Sequence, residues 1–493
     1  MTVSRSSKVF SLSLAQGVLM LTHVVSGMVF ARTLSVADYG TYLQTFLAYD
    51  FAVPMLTLGL PSALFYFLPG EKERLKGLVL DNMLLLFIGG AIFSLFLLFG
   101  GTELLARRFN NPDLLKTLRW MVFYPLYSFP VLVNSAVWVT QDRVNLNAKY
   151  NILTGIVLTI ALIATAFFTR SYELPTLTRI IIPAFYLPFA IYLIFKYVPG
   201  KWYKPKLSSM LKIIKFAIPL GLASVFGTLA IQLAGIIVSF LTTPEEYAIY
   251  ANGAKEVPFI SIITGSISVI ILSEMAKKIK NDEFKDALEL FRKAAILSAS
   301  FLFPIMVFLM VFSESFIEIL YSNKYEESII PFRIYLLVIP IRIAYYGSAF
   351  IALGKTKAIL YRSLVDLALT AILCYLFVHL LGAYGAALGL VLTLYLWTVP
   401  YNLNVLSKSF ECSSTYMLPF ERLLRIAIIA IISAVIPCIV IFLNLTSILE
   451  FLIGFSIYSV IYTILAYHYL FEFREATYPF LKKVPYIKNF ISK

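Results

Sequence analysis

Long apolar runs recur along the whole chain and constrain its fold more than any other feature. Crossing the hydrocarbon core of a bilayer takes roughly 20 residues of helix. Fourteen runs of suitable length lie between polar or turn-forming breaks, at approximately residues 9–30, 42–67, 78–99, 118–139, 150–168, 177–195, 213–241, 247–271, 294–312, 331–353, 358–381, 383–406, 423–442 and 451–470. Because the runs are continuous rather than alternating, they predict an all-α integral membrane protein with about 14 transmembrane helices, and not a β-barrel.

Composition excludes a soluble multidomain enzyme. Hydrophobic residues make up 60% of the chain and charged residues 14%, against roughly 45–50% and 25% in soluble proteins. The net charge of +14 in so apolar a chain indicates contact with lipid headgroups and a membrane topology rather than nucleic-acid binding. The three cysteines and three histidines fit no disulfide or metal spacing, and no catalytic or cofactor motif is visible. We therefore expect no enzymatic activity, no cofactor and no metal site.

The distribution of Lys and Arg predicts the orientation in the membrane. With the N-terminus inside, the inside connections and termini hold 28 basic residues and the outside connections hold six. Positively charged connections stay on the cytoplasmic side, so we expect both termini to be cytoplasmic. No connection exceeds about 20 residues, which leaves room for no soluble domain, and the function is expected within the bilayer.

An internal repeat predicts two lobes. Residues 35–42 align with residues 243–250 at an offset of 208, and Gly27 falls on Gly235 at the same offset. Six helices separate the copies, so both halves have the same orientation and should be related by a pseudo-twofold axis along the membrane normal. We expect an N-lobe (residues 1–209), a C-lobe (210–410) and an appended segment (411–493) with two more helices and a basic tail.

Ionisable side chains at membrane depth are the main candidates for a functional site, since each costs at least about 2.5 kcal/mol on insertion scales. Asp50 lies near the middle of the second run, and Lys255 and Glu256 lie at similar depth in its repeat partner. Arg342 lies near the middle of the tenth run. We expect Lys255 to contact the substrate, with Asp50 and Glu256 as its acidic partners. A purely structural neutralisation of these charges remains the alternative.

Further polar residues could line the cleft between the lobes. His23 and Gln232 fall within one position of each other under the repeat, although a hydrogen bond between helices would explain either one equally well. Candidates for coupling to an ion are Asp50, Glu256 and Asp366. Three arginines close to predicted helix ends are expected to reach the membrane surface and are given no role: Arg119, Arg179 and Arg425.

Three motifs carry a family resemblance. Residues 31–42 (ARTLSVADYGTY), 215–220 (KFAIPL) and 382–389 (GAYGAALG) resemble, in this order, segments of the polysaccharide transporter (Wzx-type) flippases. These belong to the multidrug/oligosaccharidyl-lipid/polysaccharide exporter superfamily. The resemblance extends over essentially the whole chain.

The resemblance implies a V-shaped bundle of two lobes that carries polyprenyl-diphosphate-linked oligosaccharides from the cytoplasmic to the outer leaflet by alternating access. Such transport serves O-antigen, capsule or exopolysaccharide assembly at a prokaryotic inner (cytoplasmic) membrane. Lys255, Arg342 and His23 would supply cationic partners for the diphosphate. Implied partners are the lipid-linked oligosaccharide, membrane lipids, and a glycan polymerase with chain-length proteins. Coupling to a Na⁺ or H⁺ gradient or to the membrane potential is open.

Two other functions remain as alternatives. A cation-coupled multidrug exporter of the same superfamily would usually have twelve helices and an acid-rich cleft, so the last two helices and Lys255 count against it. A polysaccharide polymerase would need a large outer loop, and the longest one here has only about 18 residues. The first helix lacks the arginines of the related lipid II flippases, so a lipid II substrate is less favoured than another lipid-linked glycan.

Overall fold

The computed structural model describes residues 5–71, 73–257, 260–443, 445–471 and 473–474. Within these residues every regular element is helical, as the apolar runs predict. The α-helices are α1 (Arg5–Thr33), α2 (Val36–Thr57), α3 (Leu60–Gly70), α4 (Leu75–Phe96), α5 (Thr102–Arg108), α6 (Leu114–Met121), α7 (Tyr124–Ser128), α8 (Asn134–Thr140), α9 (Val144–Thr169), α10 (Glu173–Tyr197), α11 (Leu207–Leu241), α12 (Pro244–Gly253), α13 (Ile260–Lys280), α14 (Phe284–Val311), α15 (Ser313–Tyr321), α16 (Ile329–Leu336), α17 (Ile339–Arg342), α18 (Tyr346–Ala352), α19 (Thr356–Leu381), α20 (Tyr384–Thr393), α21 (Val399–Ser409), α22 (Phe420–Ala434) and α23 (Ser447–Tyr469).

Eleven helical segments of the described chain are long and apolar enough to cross a membrane. They are Val36–Gly70, Leu75–Arg108, Leu114–Thr140, Val144–Thr169, Glu173–Tyr197, Phe284–Val311, Asn323–Ala352, Lys357–Leu381, Tyr384–Ser409, Phe420–Leu443 and Ser447–Tyr469. Each coincides with a predicted run. The other three predicted runs fall on α1, on α11, which contains the shorter apolar helix Val225–Leu241, and on α12 with α13. The all-helical membrane fold is confirmed, and the exact count of fourteen stays a prediction.

Several of the predicted helices are interrupted, and two of these breaks lie at the candidate sites. The second run turns between α2 and α3, where Leu58 and Gly59 have φ angles of 42° and 75°. The eighth run ends as α12 at Gly253 and resumes as α13 at Ile260, and residues 254–257 are not helical. The sequence supplies a reason, since a proline at position 258 disfavours helical backbone at the residue before it. Lys255 and Glu256 therefore lie in a break and not within a continuous helix.

The chain divides into two compact units. The first comprises Met1–Asn252 and Ser363–Leu390, and the second comprises Gly253–Arg362 and Val391–Lys493. Their boundaries differ from those of the expected lobes, because α11 packs against α2, α3 and α4 within the first unit. The predicted division at residues 209 and 410 stays a prediction.

Both copies of the repeated motif lie in the first unit, where they meet. Gly40 packs so closely on Pro244 that a Cβ atom would overlap the proline carbonyl group. A buried polar network lies one turn further along α2. The Asn111 amide donates to Thr41 Oγ1 at 2.9 Å and to Gln44 Oε1 at 2.7 Å, and Gln44 donates to Ser239 at 3.3 Å. Side-chain hydrogen bonds between helices of this kind fix their positions inside a membrane.

The segment before α11 is fixed by a buried carboxylate. Asp81 of α4 is fully buried and pairs with Arg74 through both of its oxygens, at 2.6 and 3.2 Å. It also accepts a hydrogen bond from the backbone N–H of Lys206 at 3.0 Å, while Arg74 donates to the Lys204 carbonyl at 2.6 Å. One ion pair thus joins the start of α4 to residues 204–206.

The C-terminal helices are part of the second unit. Tyr462 of α23 donates a hydrogen bond to the Ser300 carbonyl of α14 at 2.6 Å. Ser447, at the first turn of α23, donates to Glu318 of α15 at 2.5 Å. Helix α22 packs along both α14 and α23, so the predicted appendage is integrated into the core of this unit.

Candidate functional site

A cavity of about 610 Å³ opens in the first unit between α2, α3 and α11. Its lining includes Tyr49, Asp50, Thr57, Ser62, Thr228 and Gln232. Asp50 lies 14 residues into α2, or roughly 21 Å along the helix, which is well inside a bilayer core of about 30 Å. Its carboxylate is exposed to the cavity. The structure therefore brings together two predicted site residues, Asp50 and Gln232, from different halves of the repeat.

A positive charge interacts with Asp50, and it comes from Arg179, a residue that was expected to have no role. The guanidinium carbon of Arg179 lies 3.7 Å from the ring centroid of Phe46. Its Nη1 donates a hydrogen bond to the Tyr42 hydroxyl at 3.2 Å. Tyr42, Phe46 and Asp50 are spaced four residues apart, so they form one stripe along α2. Arg179 lies on this stripe and its charge interacts with that of Asp50.

The expectation that Arg179 reaches the membrane surface is wrong. It lies six residues into α10, only roughly 9 Å from the helix start, which is why the sequence favoured the surface. The aromatic ring of Phe46 and the hydroxyl of Tyr42 instead offer it a cation–π contact and an acceptor inside the protein. A signal was present, because the spacing of Tyr42, Phe46 and Asp50 predicts a face of α2 suited to a cation.

A second charged cluster lies in the second unit. Arg342 Nη2 pairs with Glu256 Oε2 at 3.2 Å, and both side chains, with Lys255 and Tyr335, line a small pocket. The other Glu256 oxygen is buried and has no hydrogen-bond partner among the described residues. Lys255 is exposed, and its backbone N–H donates to the Gly253 carbonyl at 2.8 Å. Three predicted site residues are thus brought together, and Arg342 is a cation bound to Glu256.

The remaining candidates lie elsewhere. His23 is exposed on α1, which packs mainly on α9, and Asp366 is half-buried on α19. Neither belongs to the lining of the Asp50 cavity or of the Lys255 pocket. Their proposed roles stay predictions. Within the described residues no group of three or more His, Cys, Asp or Glu side chains could hold a metal ion.

Comparison with known proteins gives a family match. A family model described as "Polysaccharide biosynthesis protein" matches residues 29–330, more than half of the chain. None of the curated protein sequences matches the chain significantly.

Solved structures share the fold. The lipid II flippase MurJ in its inward closed conformation is 18% identical with a TM-score of 0.71, covering 93% of this chain and 98% of its own. An inward-facing multidrug resistance MATE transporter of the MOP superfamily is 14% identical with a TM-score of 0.62, covering 82% and 99%. A MOP superfamily transporter from Pyrococcus furiosus, with a binding pocket of reverse polarity, is 14% identical with a TM-score of 0.59, covering 83% and 97%. At these identities the likeness establishes the fold alone, and it is the fold of flippases and transporters.

Proposed function

The chain belongs to the polysaccharide biosynthesis protein family, and we propose that it is a flippase for polyprenyl-diphosphate-linked oligosaccharide repeat units. In this proposal it moves them by alternating access from the cytoplasmic to the outer leaflet of a prokaryotic inner membrane, with both termini cytoplasmic. The units serve surface polysaccharide assembly, such as O-antigen, capsule or exopolysaccharide. The family match confirms the resemblance and includes the motifs at residues 31–42 and 215–220, and the fold of flippases and transporters supports the proposed activity.

The observation that carries the proposal is that charged side chains and an open cavity both occur at membrane depth. A polyprenyl-diphosphate-linked oligosaccharide has a hydrophilic glycan, a diphosphate group and an apolar tail. The cavity beside Asp50 offers hydroxyl and amide groups to the glycan, and the tail can remain in the bilayer. Arg179, Arg342 and Lys255 provide cations, and guanidinium groups bind phosphate oxygens through paired hydrogen bonds.

The Glu256–Arg342 pair suggests how binding of the diphosphate is coupled to an ion. The carboxylate of Glu256 pairs with Arg342 at 3.2 Å, and a cation at membrane depth is costly without a partner. An arriving diphosphate competes with that carboxylate for Arg342 and for Lys255. The released carboxylate then favours protonation or a bound cation, which would couple transport to an ion gradient. Asp50 and Asp366 are the other candidates for this coupling.

A cation-coupled multidrug exporter is the second candidate, because MATE transporters share the fold and Asp50 is an acidic residue exposed to a cavity. The basic residues at both sites weigh against it, since Arg179 and Arg342 would repel a cationic drug. A polymerase is less favoured still, because the family's structural neighbours are flippases and transporters.

Substitutions at Lys255 and Arg342 in proteoliposomes test the proposal. The probe is a short-chain polyprenyl diphosphate that carries a fluorescently labelled disaccharide, and an impermeant quencher reports the outward-facing fraction. Lys255→Ala and Arg342→Gln should abolish translocation, while Lys255→Arg should retain part of it because the charge survives. Lys277→Gln, which removes an exposed charge from the end of α13, is the matched control.

Two outcomes would contradict this account. Translocation at the wild-type rate by Lys255→Ala and Arg342→Gln would remove these residues from the substrate path. Failure of Lys255→Ala to accumulate, with recovery by an added Glu256→Gln, would indicate that the two charges of this pocket only neutralise each other.

A further inference from the structure

A small bowl with an apolar floor and a basic rim lies where α22 and α23 meet α14. Its volume is about 250 Å³. The floor consists of Ile296, Ile426 and Leu470, which are 3%, 1% and 5% exposed. The rim carries two arginines, Arg422 and Arg425, and two aromatic residues that are well exposed, Tyr469 and Phe471. The bowl lies entirely within the second unit and shares no residue with the sites described above.

The two arginines are positioned to bind the same anion. They are three residues apart on α22, so they lie on the same face of the helix. Arg425 has a 3.4 Å contact to Glu421, but Glu421 is 88% exposed, so solvent screens this pair strongly. Each guanidinium presents a planar set of donors that matches the oxygens of a phosphate group. Cytoplasmic positive charge alone would not require both arginines to line the same cavity.

The floor restricts the kind of anion. Three buried aliphatic side chains give a free inorganic phosphate nothing to contact, whereas alkyl carbons attached to a phosphate would be buried on them. The volume is below the roughly 300–1,000 Å³ of pockets that enclose a whole small molecule. The bowl can therefore take only part of a ligand whose remainder lies outside the protein.

The surroundings place the remainder of the ligand in the bilayer. Large apolar side chains of α22 point outward next to the bowl, with Leu424 62% exposed and Ile428 46% exposed. Tyr469 and Phe471 lie where α23 ends, the position at which aromatic residues mark a membrane interface. The charge distribution predicts this end to be cytoplasmic, and anionic phospholipids are abundant in that leaflet.

We propose that the bowl between α14, α22 and α23 binds the phosphate head group of an anionic bilayer phospholipid, with Arg422 and Arg425 on the phosphate and the glycerol carbons on Ile296, Ile426 and Leu470. The acyl chains lie along the outer face of α22. This proposal does not rest on the proposed function, because a bound lipid here would be a structural partner of the C-terminal helices in any transporter of this fold.

Native mass spectrometry of the full chain tests the proposal. The protein is released from nanodiscs of phosphatidylcholine that contain one quarter phosphatidylglycerol, and the bound lipid is counted. The wild-type protein should retain phosphatidylglycerol, and Arg422→Gln with Arg425→Gln should weaken retention by roughly thirtyfold. The matched control, Lys277→Gln with Lys280→Gln, removes the same charge from exposed positions on α13 and should retain the lipid as the wild type does.

A second substitution separates head-group binding from folding. Ile426→Ser leaves both arginines in place and makes the floor polar, so it should weaken phosphatidylglycerol retention without changing retention of phosphatidylcholine. Equal phosphatidylglycerol retention by the double arginine variant and the wild type would overturn the proposal. So would displacement of the lipid by inorganic phosphate, which would indicate a site for a free anion, or by undecaprenyl phosphate at equimolar concentration, which would indicate a site for the carrier lipid.

Discussion

Arg179 places a positive charge on the stripe of α2 formed by Tyr42, Phe46 and Asp50, and its contacts explain how a cation is tolerated there. The ring of Phe46 faces the guanidinium at 3.7 Å and the Tyr42 hydroxyl accepts its hydrogen bond at 3.2 Å. The electrostatic interaction with Asp50 reduces the cost of both charges. We infer that Arg179 sets the charge balance of Asp50 whether or not Asp50 also binds a coupling ion.

Replacing Arg179 should therefore affect both stability and transport. Arg179→Met keeps the length of the side chain but leaves Asp50 without this cation at membrane depth, at an expected cost of about 2–3 kcal/mol. Arg179→Lys should lie between the wild type and Arg179→Met, since it keeps the charge and loses the planar contact with Phe46. Thermal unfolding in detergent and the translocation assay measure the two effects. The control is Arg119→Gln, whose arginine forms an exposed pair with Glu103; an equal loss of stability there would contradict the argument.

The Asp81–Arg74 pair gives a second prediction at this scale. Asp81→Ala removes the buried acceptor of Arg74 and of the Lys206 N–H, and breaking a buried pair from one side costs about 3–5 kcal/mol. Hydrogen exchange at the Lys206 amide should accelerate, because this N–H loses its acceptor. Unchanged exchange at Lys206 would indicate that residues 204–206 are held by other contacts. Adding Arg74→Gln to Asp81→Ala should recover part of the lost stability.

The sequence indicated some of the important charged residues and gave no sign of others. Asp50, Lys255, Glu256 and Arg342 stood out because a charge within an apolar run is rare. Asp81 and Arg74 did not, because they lie at the end of a run, where charges are common. The inward direction of Arg179 depends on how α10 packs against α2, which local sequence does not encode.

At the scale of elements, the turn between α2 and α3 shapes the Asp50 cavity. Gly59 adopts a φ angle of 75°, a left-handed conformation that glycine adopts at little cost. Gly221 of α11 packs directly on this turn, and a Cβ atom on Gly59 would lie 2.9 Å from the Gly221 Cα. Both glycines line the cavity, and because neither has a side chain, the two elements can approach each other closely at its wall.

This close approach predicts opposite effects for two glycines of the same helix. In Gly221→Ala the new Cβ atom would overlap the Leu58 carbonyl group. Forcing extra volume into a packed contact typically lowers the free energy of unfolding by about 1–3 kcal/mol, and we expect a loss of this size. Gly227→Ala has open space around the new Cβ atom and should be neutral or slightly stabilising, because alanine favours helix. Denaturant unfolding of both variants checks this. Equal stability of the two would show that α11 can move away from Leu58 without cost.

The apolar runs predicted where helices lie but not where they break. The second run contains Pro54 and Pro61, which permit a kink, and the turn at Leu58 and Gly59 between them packs on Gly221. The proline at position 258 permitted a kink in the eighth run, but the break after Gly253 was not predicted because the run is apolar on both sides of it. It bears on the proposed site, since it places Lys255 and Glu256 on irregular backbone, which is tolerated at membrane depth only where it is buried in protein or lines a water-filled cavity.

At the scale of the whole molecule, composition and the length of the runs sufficed for the fold class, and the motifs sufficed for the family. The compact units could not be read from the repeat, because the contacts of α11 with α2, α3 and α4 depend on side-chain packing across a long sequence separation.

The central claim is that the chain moves an intact lipid-linked oligosaccharide across a bilayer. The most direct measurement is translocation of the labelled polyprenyl-diphosphate disaccharide in proteoliposomes of the purified chain, followed by mass analysis of the recovered lipid. The account predicts that the inward label becomes accessible in vesicles with protein and not in empty ones, and that the disaccharide is recovered unchanged. Accessibility equal to that of empty vesicles, or recovery of a cleaved or lengthened glycan, would contradict it.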